Sequence, residues 1–275
     1  MQRKPHVLFL SAIILFAMAA GAGCDKLRAR DKLNKGVQAY KNAQFDTAIE
    51  DFKEAKQLDP SLTNAQLYLA TAYASQYIPG APSPENLRNG EQAIAEFKKI
   101  LDDDPSNLSA IDGIGSILYN MAGTPYSADK LNESKSYHQK HMQLSPNDPE
   151  PYYWVGVINW TMVFRGNRDM RDDYNHNPKT KKQIKENDPM PAPLATEFSS
   201  KYSSLVDEGM SSIKKAMDLR PDYDDAMAYL NLLYRQKADM ETDSAARDAD
   251  LQAANDLVDK VKAIKQKKAN IQPTS

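Results

Sequence analysis

The sequence predicts an all-α chain built from consecutive helical hairpins. Glycine is scarce, with 11 in 275 residues, so few positions suit the positive-φ turns that connect paired strands. Apolar residues make up 41% of the chain and charged residues 26%, which allows a continuous core and argues against wholesale disorder. Prolines also recur after similar helical stretches. Together these observations favour repeated helix pairs over a sheet.

Composition and motifs argue against several classes of function. The net charge of −2, from 35 basic and 37 acidic residues, provides no overall positive field for nucleic acid. The single cysteine, Cys24, excludes an internal disulfide and a multi-cysteine metal cluster. The sequence contains no glycine-rich phosphate loop, nucleophile elbow or metalloprotease helix motif. We therefore expect a chain that is not an enzyme, uses no cofactor and binds no nucleic acid.

The first residues have the pattern of an export signal. Arg3 and Lys4 precede an apolar run over residues 7–20, which is shorter than the ~20 apolar residues of a typical membrane-spanning helix. Small residues then lead directly into Cys24. This segment resembles the lipobox of bacterial lipoproteins, and the resemblance implies a signal peptide over residues 1–23 and lipidation of Cys24.

Two other interpretations of this segment stay open. Lipobox sequences usually carry leucine three residues before the cysteine, where this chain has Gly21. Cleavage after Ala22 by ordinary signal peptidase would release a soluble protein, and an uncleaved apolar helix would be a different anchor. The position of the lone cysteine favours a lipoprotein that faces the periplasm from the inner or outer membrane. Residues 24–28 are then expected to form a short membrane-proximal linker.

An internal repeat is marked by four prolines, each of which follows a helical stretch. These are Pro60, Pro105, Pro146 and Pro221. Before each proline, small and bulky residues at spacings of three and four predict one face of a helix. The bulky positions are Phe52, Phe97, His138 and Ile213, and the small positions are Ala48, Ala93, Ser134 and Gly209. A second helix after each proline has its own apolar positions, at Leu69, Ile114, Val155 and Leu230.

These residues resemble the tetratricopeptide repeat, a helix-turn-helix unit of about 34 residues. The best match runs from Leu33 to Pro60 and has the expected residues at Gly36, Tyr40, Phe45, Ala48, Phe52 and Ala55. The resemblance implies a solenoid of about five hairpins over residues 29–268, followed by a disordered tail over 269–275. The repeats are expected at about 29–62, 63–107, 108–148, 149–223 and 224–268.

The repeats depart from the family in length. The closing prolines are 45, 41 and 75 residues apart, so each unit exceeds the family's usual length. The additional residues fall between the two helices of a hairpin, at 76–90, 122–131 and 163–195. The longest of these segments contains Pro178, Pro189, Pro191 and Pro193. We therefore expect a loop rather than regular structure over 163–195.

The resemblance also implies a binding groove, because the first helix of each hairpin lines the inner surface of tetratricopeptide arrays. The inward positions in this sequence are Tyr40, Tyr68, Tyr119, Tyr153, Trp154, Trp160, Tyr229 and Arg235. Packing between repeats is a second explanation for about half of the aromatic residues. Trp154 and Trp160 differ by ~120° around a helix, so at least one is expected to face away from its hairpin partner.

The type of partner follows from the same residues. Aromatic and arginine side chains are common binding anchors, which predicts a protein or peptide partner. Some family members hold a peptide's terminal carboxylate with a lysine and asparagine clamp, and this chain lacks that clamp at the matching positions. Those positions are occupied by Leu33, Val37, Leu67 and Thr71.

His138 and His141 support the main alternative. Histidines three residues apart project to one face of a helix and are able to bind a metal. They also occupy packing positions of the third repeat, so buried histidines held by hydrogen bonds are favoured and no metal site is predicted. The leading hypothesis is a membrane-anchored scaffold that binds a protein and aids assembly of an envelope complex. The rival hypothesis is a periplasmic carrier of a metal or small ligand.

Overall fold

The computed structural model describes residues 24–180 and 182–271, and it is helical throughout these ranges apart from turns, loops and one isolated bridge. The helices of the described residues are α1 (24–41), α2 (Phe45–Leu58), α3 (Thr63–Gln76), α4 (Pro84–Asp103), α5 (Leu108–Met121), α6 (Ala128–Leu144), α7 (Pro149–His176), α8 (Ala192–Leu219), α9 (Asp224–Ala238) and α10 (Ser244–Ile271). The ten described helices follow the order of the five predicted repeats, and the all-α prediction is confirmed.

The chain divides into two compact units. Unit 1 extends to Tyr126 and includes α1 to α5, and unit 2 begins at Ser127 and includes α6 to α10. Within unit 1, consecutive helices from α2 to α5 pack against each other. Within unit 2, α7 packs against α6, α8 and α9, and α9 also packs against α8 and α10. The division therefore falls inside the third repeat that the sequence indicates.

Local sequence explains where several helices begin. Ser83 precedes α4, and its side chain accepts a hydrogen bond from Asn86 N at 3.2 Å. Asp148 precedes α7 and accepts one from Glu150 N at 2.9 Å. Each of these residues is followed by a proline in the first helical turn. Proline is tolerated there because a backbone N–H at this position would have no partner within the helix. Ser83 and Asp148 are therefore the N-caps of α4 and α7.

The repeat positions form the core of both units. The bulky residues before the closing prolines are buried, with Phe52 and Ile213 fully enclosed and Phe97 4% exposed. The small positions Ala48 and Ala93 are also fully buried. The apolar positions after the prolines are at most 3% exposed at Leu69, Ile114, Val155 and Leu230. The periodic pattern thus identified the core-facing side of each helix.

Glycines allow α7 and α8 to approach closely. A Cβ atom added at Gly156 of α7 would overlap the Ile213 side chain of α8. A Cβ atom at Gly166 would overlap the ring of Tyr202, also on α8. Since Ile213 is fully buried, it has little room to move aside. The pair of glycines sets the spacing of the longest hairpin in the described chain.

The prediction of a loop over residues 163–195 is wrong for much of that segment. Helix α7 continues to His176 and α8 begins at Ala192, so the described non-helical residues are 177–180 and 182–191, and this connection is here called the 177–191 loop. Residues 163–176 contain no proline, and their buried positions at Val163, Met170 and Arg171 keep the helical spacing. The prolines mark only the boundaries of the shorter loop.

The two ends of the predicted array also differ from expectation. Residues 24–28 were expected to be a linker, but they belong to α1, where Arg28 and Asp25 form an i,i+3 ion pair at 3.7 Å. Helix α10 includes residues 269–271, which were expected to be tail. The signal segment over 1–23 and residues 272–275 lie outside the described residues. Among the helices that are described, none combines the length and hydropathy needed to cross a membrane.

Candidate partner-binding site

An aromatic row runs along α7 and α9 in unit 2, and it consists of Trp154, Tyr153, Tyr229, Trp160 and Phe164. Ring centroids are 5.6 Å apart in the Trp154–Tyr153 pair and 5.6 Å apart in the Tyr153–Tyr229 pair. The separations are 5.3 Å for Tyr229–Trp160 and 5.1 Å for Trp160–Phe164. These distances fall in the range of favourable aromatic pairs. All five side chains are half-buried, so each keeps some accessible surface.

The two tryptophans point toward different helices, as their spacing requires. Trp154 stacks on His138 of α6 with centroids 5.6 Å apart and planes 10° apart. Trp160 instead meets Tyr229 of α9 edge-on. Phe164 lies one turn beyond Trp160 on α7 and stacks on it. Helix α7 therefore both packs against its neighbouring helices and contributes side chains to a partly exposed surface.

The two histidines lie in the packed interior. His138 is 1% exposed and His141 is 3% exposed. Burial, and to a smaller extent the neighbouring His141, lowers the pKa of His138 to about 4. His141 Nε2 lies 3.4 Å from Asp148 Oδ2. Within the described ranges, no cluster of three or more His, Cys, Asp or Glu residues is arranged to hold a metal ion.

Next to the aromatic row is a pocket of about 670 Å³, here called the arginine pocket. It is bordered by α7, the 177–191 loop, α9 and α10, and Trp160 and Phe164 form part of its wall. Four arginines from three helices line it. They are Arg168 and Arg171 on α7, Arg235 on α9 and Arg247 on α10.

Arg171 has a structural role at the base of this pocket. It is 4% exposed, and its Nη2 donates to Asp239 Oδ2 at 2.9 Å. Its Nε donates to Asn167 Oδ1 at 2.7 Å. Its Nη1 donates to the backbone carbonyls of Lys185 and Asp188, at 2.9 and 3.0 Å. One buried guanidinium thus holds the 177–191 loop against α7 and α9.

The other three arginines are not neutralised in this way. Arg235 donates to the amide oxygens of Asn231 at 3.0 Å and Asn255 at 2.9 Å, which carry no charge. Arg168 is exposed, and Arg247 is half-buried with its Nε unbonded among the described residues. None of the three forms an ion pair with a carboxylate in the described part of the chain.

A scan against models of protein families and a search of curated proteins give no match, but solved structures do match. A crystal structure of MamA protein has a TM-score of 0.57 and 16% identity, covering 90% of this chain and 97% of its own. MamA 41-end from Desulfovibrio magneticus RS-1 has a TM-score of 0.54 and 15% identity, covering 87% and 96%. YrrB, described as a TPR protein with an unusual peptide-binding site, has a TM-score of 0.50 and 16% identity, covering 86% and 85%.

The chain has a tetratricopeptide fold. In this fold α7 and α9 are first helices of their hairpins, and they carry the expected groove residues of unit 2. The structure brings Tyr153, Trp154, Trp160 and Tyr229 together in the aromatic row and places Arg235 in the adjoining pocket. These five positions are thus collected on one continuous surface.

The groove tyrosines of unit 1 are used differently. Tyr40 contacts Phe45 with centroids 5.5 Å apart, and its hydroxyl lies 2.9 Å from Ser75 Oγ. Tyr68 stacks on Phe52 of α2 at 5.5 Å and keeps 38% of its surface exposed. Tyr119 is half-buried on α5. Packing between helices accounts for Tyr40 and for one face of Tyr68, in line with the second explanation of these aromatics.

Unit 1 also has a smaller pocket of about 440 Å³ between α3 and α5. Leu67 and Thr71 line it, and these are two of the positions where the family's carboxylate clamp would place lysine or asparagine. Thr71 Oγ1 donates to the backbone carbonyl of Leu67 at 2.8 Å. This pocket is therefore without a charged anchor at these positions.

Sequence reasoning missed Phe164, Arg168, Arg171 and Arg247. The first three follow Trp160 on α7 at successive helical turns, so a helix continued past residue 163 would have placed them beside it. The expected loop removed them from consideration. Arg247 lies on α10 and reaches the pocket only through tertiary packing. No local pattern in the sequence indicates that position.

Proposed function

We propose that this chain is a non-enzymatic scaffold that binds a protein partner through the aromatic row of unit 2. The observation that carries the proposal is the continuity of five half-buried rings beside a pocket lined by arginines. Tyrosine, tryptophan and arginine dominate the binding energy of many protein interfaces. Rings that are already packed together lose little conformational entropy when a partner covers them.

The groups beside this surface also support binding rather than chemistry. Arg171 is committed to Asp239 and to the loop carbonyls, and His138 is stacked on Trp154 in the interior. Glu208 of α8 is half-buried and accepts hydrogen bonds from Lys135 at 2.8 Å and Asn159 at 2.9 Å. Burial tends to raise the pKa of Glu208, but these bonds outweigh it and lower the pKa. Each of these groups has a structural partner.

We also place the scaffold at a bacterial envelope membrane, anchored through lipidated Cys24 and facing the periplasm. Cys24 is a free and exposed cysteine, and it follows the small residues typical of a lipobox. Acyl chains stabilise attachment by ~0.8 kcal/mol for each buried CH₂ group. Since α1 includes residue 24, the anchor would join the repeat fold without a flexible tether. Assembly of an envelope complex is the role that such an anchored binder would serve.

Affinity capture from membranes after cross-linking tests the binding surface. We expect Tyr229→Ala and Trp160→Ala to lose the partner that the wild-type chain captures. The matched control is Tyr68→Ala, which removes an exposed aromatic ring from unit 1 and is expected to keep it. Circular dichroism of each variant checks that the fold is intact. Equal capture by folded Tyr229→Ala and Trp160→Ala would show that the aromatic row is not the binding surface.

Membrane attachment has its own test. We expect Cys24→Ser to accumulate as a larger precursor or to leave the membrane fraction, because serine provides no thiol for acylation. Metabolic labelling with a fatty acid and immunoblotting of fractions would measure both effects. Unchanged size and unchanged fractionation would contradict the lipidated anchor.

A further inference from the structure

The arginine pocket contains positive charge that the chain itself does not offset. The Arg171 and Asp239 charges offset each other through their 2.9 Å contact. Arg168, Arg235 and Arg247 have no such carboxylate partner among the described residues. The pocket therefore presents three cationic side chains to whatever enters it.

Besides Asp239, which pairs with Arg171, two further carboxylates line the pocket, and both are more exposed than Arg235 and Arg247. Asp172 and Glu186 are exposed, whereas Arg235 and Arg247 are half-buried. Water and salt screen an exposed charge more strongly than a partly buried one. The interior of the pocket is therefore expected to favour an anion even though carboxylates lie at its rim.

The unused hydrogen-bond donors of the arginines also favour binding of an anion. A guanidinium group has five N–H donors in a planar fork that matches a carboxylate. Arg235 uses its Nε and Nη2 on neutral amide oxygens. Arg247 Nε is buried and has no partner among the described residues. Both side chains thus retain donors for a carboxylate that arrives from outside.

Part of the pocket wall is apolar, and the pocket is large. Trp160 and Phe164 form a stack on one side, and Leu232, Leu251 and Ile184 also line the pocket. A volume of about 670 Å³ lies within the range of sites that enclose an organic ligand. It exceeds what a single inorganic anion needs. A ligand that carries an apolar group close to an anionic one would match both the apolar wall and the arginines.

We propose that the arginine pocket binds an acidic peptide segment in which a carboxylate side chain neighbours an aromatic or aliphatic one. The carboxylate contacts Arg235 and Arg247, and the apolar side chain packs on the Trp160–Phe164 stack. This proposal rests on the proposed scaffold function and specifies the chemistry of the partner segment. It differs from the family's terminal-carboxylate clamp, since the arginines lie on α9 and α10 beside the extended end of α7.

A buried indole N–H at the same place favours a peptide over a free anion. Trp160 Nε1 is buried and has no hydrogen-bond partner among the described residues. A small rotation of this half-buried ring on binding would bring Nε1 toward a peptide carbonyl. A peptide offers such a carbonyl within a few bonds of a side-chain carboxylate, so one ligand satisfies both groups.

Selection from a library of short random peptides on the full chain, followed by fluorescence anisotropy with the selected peptides, tests the proposal. We expect the selected sequences to be enriched in aspartate or glutamate next to an aromatic or aliphatic residue. Their affinity should fall as ionic strength rises, because the contacts are charged. Peptides with the acidic residues changed to their amides should bind about tenfold more weakly or worse.

Two pocket variants and one control assign the binding to the pocket. Arg235→Gln and Arg247→Gln should each weaken binding of the selected peptides about tenfold, since each removes one charged contact. Arg88→Gln is the matched control, because Arg88 is an exposed arginine on α4 of unit 1. It should leave the affinity unchanged. Tryptophan fluorescence of the variants confirms that unit 2 remains folded.

The outcomes separate this proposal from the broader one. Selected peptides without acidic residues, or affinities unchanged in both folded arginine variants, would overturn the acidic-peptide proposal. It would also be overturned if inorganic phosphate bound as tightly as the peptides, since the pocket would then be a free-anion site. The scaffold proposal would still stand in these cases if Tyr229→Ala lost the captured partner. A different result would be acidic peptides whose affinity falls in both arginine variants, together with unchanged partner capture by Tyr229→Ala. That result would reject the aromatic row as the binding surface and keep the acidic-peptide proposal.

Discussion

Units 1 and 2 use the same helical hairpin but leave different surfaces open. In unit 1, α2, α3 and α5 have 14 residues each, and groove tyrosines such as Tyr40 and Tyr68 pack on neighbouring rings. In unit 2, α7, α8 and α10 have 28 residues each. The additional turns of α7 carry Phe164 and Arg168 past the repeat core, where they border a pocket. Lengthening a hairpin has therefore added a candidate site while the core pattern is kept.

The largest expected effect tests whether Arg171 holds this extension together. We expect Arg171→Met to lower the free energy of unfolding of unit 2 by about 3–5 kcal/mol, because removal of one member of a buried pair leaves Asp239 uncompensated. Urea unfolding followed by tryptophan fluorescence reports on unit 2, since it contains both Trp154 and Trp160, the two tryptophans of the chain.

The control for this variant lies on the same helix. Arg165 pairs with Asp169 at 3.0 Å, and both side chains are about half exposed. Arg165→Met is therefore expected to cost only about 0.2–1 kcal/mol. If Arg171→Met and Arg165→Met had the same small effect, the buried arginine would not be what fixes the loop.

A pH-dependent effect of nearly the same size is expected from His138. Its folded pKa of about 4 is below its ordinary value of 6.5, so between these pH values the unfolded state binds the additional proton. The contribution of His138 to stability is therefore fully present above pH ~6.5 and is lost as pH falls through ~4, by about 3 kcal/mol in all. Unfolding of wild type and His138→Phe across this pH range would measure the difference.

The slope of stability against pH in the two proteins decides this prediction. A His138→Phe variant with the same slope between pH 4 and 6.5 as the wild type would contradict the burial of a neutral histidine on Trp154.

A smaller effect is expected where α7 and α8 meet. Gly156→Ala should lower the free energy of unfolding by about 1–3 kcal/mol, because the added methyl group overlaps the fully buried Ile213. The matched control is Gly123→Ala in unit 1, where an added Cβ atom meets only Asn120 O at 3.8 Å. Thermal unfolding by circular dichroism compares the two, and a neutral Gly156→Ala would show that this contact is loose.

The smallest effect concerns the packing role of the unit 1 tyrosines. Tyr40→Phe should cost about 0.5–1.5 kcal/mol, since it removes the hydroxyl that lies 2.9 Å from Ser75 Oγ. Tyr68→Phe should be neutral, because its stack on Phe52 is kept. Neither variant should reduce partner capture. Loss of capture with Tyr40→Phe would place part of the binding surface in unit 1.

Much of the fold follows from local patterns, because the small and bulky positions before each closing proline are those that neighbouring helices bury. Ala48, Phe52 and Ile213 illustrate this. The segment 163–195 was misinterpreted because its prolines begin at Pro178, beyond the helical turns that precede them. Proline restricts only its immediate neighbourhood, so the residues before it stay free to extend α7.

The candidate site was predictable only in part. Trp154, Trp160 and Tyr229 were identified because aromatic residues at groove positions are visible in the sequence. Arg247 was missed because it shares the pocket with side chains of α7, which is distant in the chain. Arg171 was missed because a charged residue is expected on the solvent-exposed face of a helix unless a buried partner, here Asp239, is known. The roles of Arg247 and Arg171 both depend on contacts between residues that are distant in the sequence.

Site-specific photo-cross-linking tests the contrast between the units most directly. A benzophenone amino acid in place of Phe164 would lie at the junction of the aromatic row and the arginine pocket, and one in place of Tyr68 would lie on exposed unit 1 surface. After irradiation in native membranes, we expect a protein adduct from the Phe164 position that Arg247→Gln weakens, and no such adduct from the Tyr68 position. An adduct formed only from Tyr68, or none from Phe164, would contradict the assignment of partner binding to unit 2.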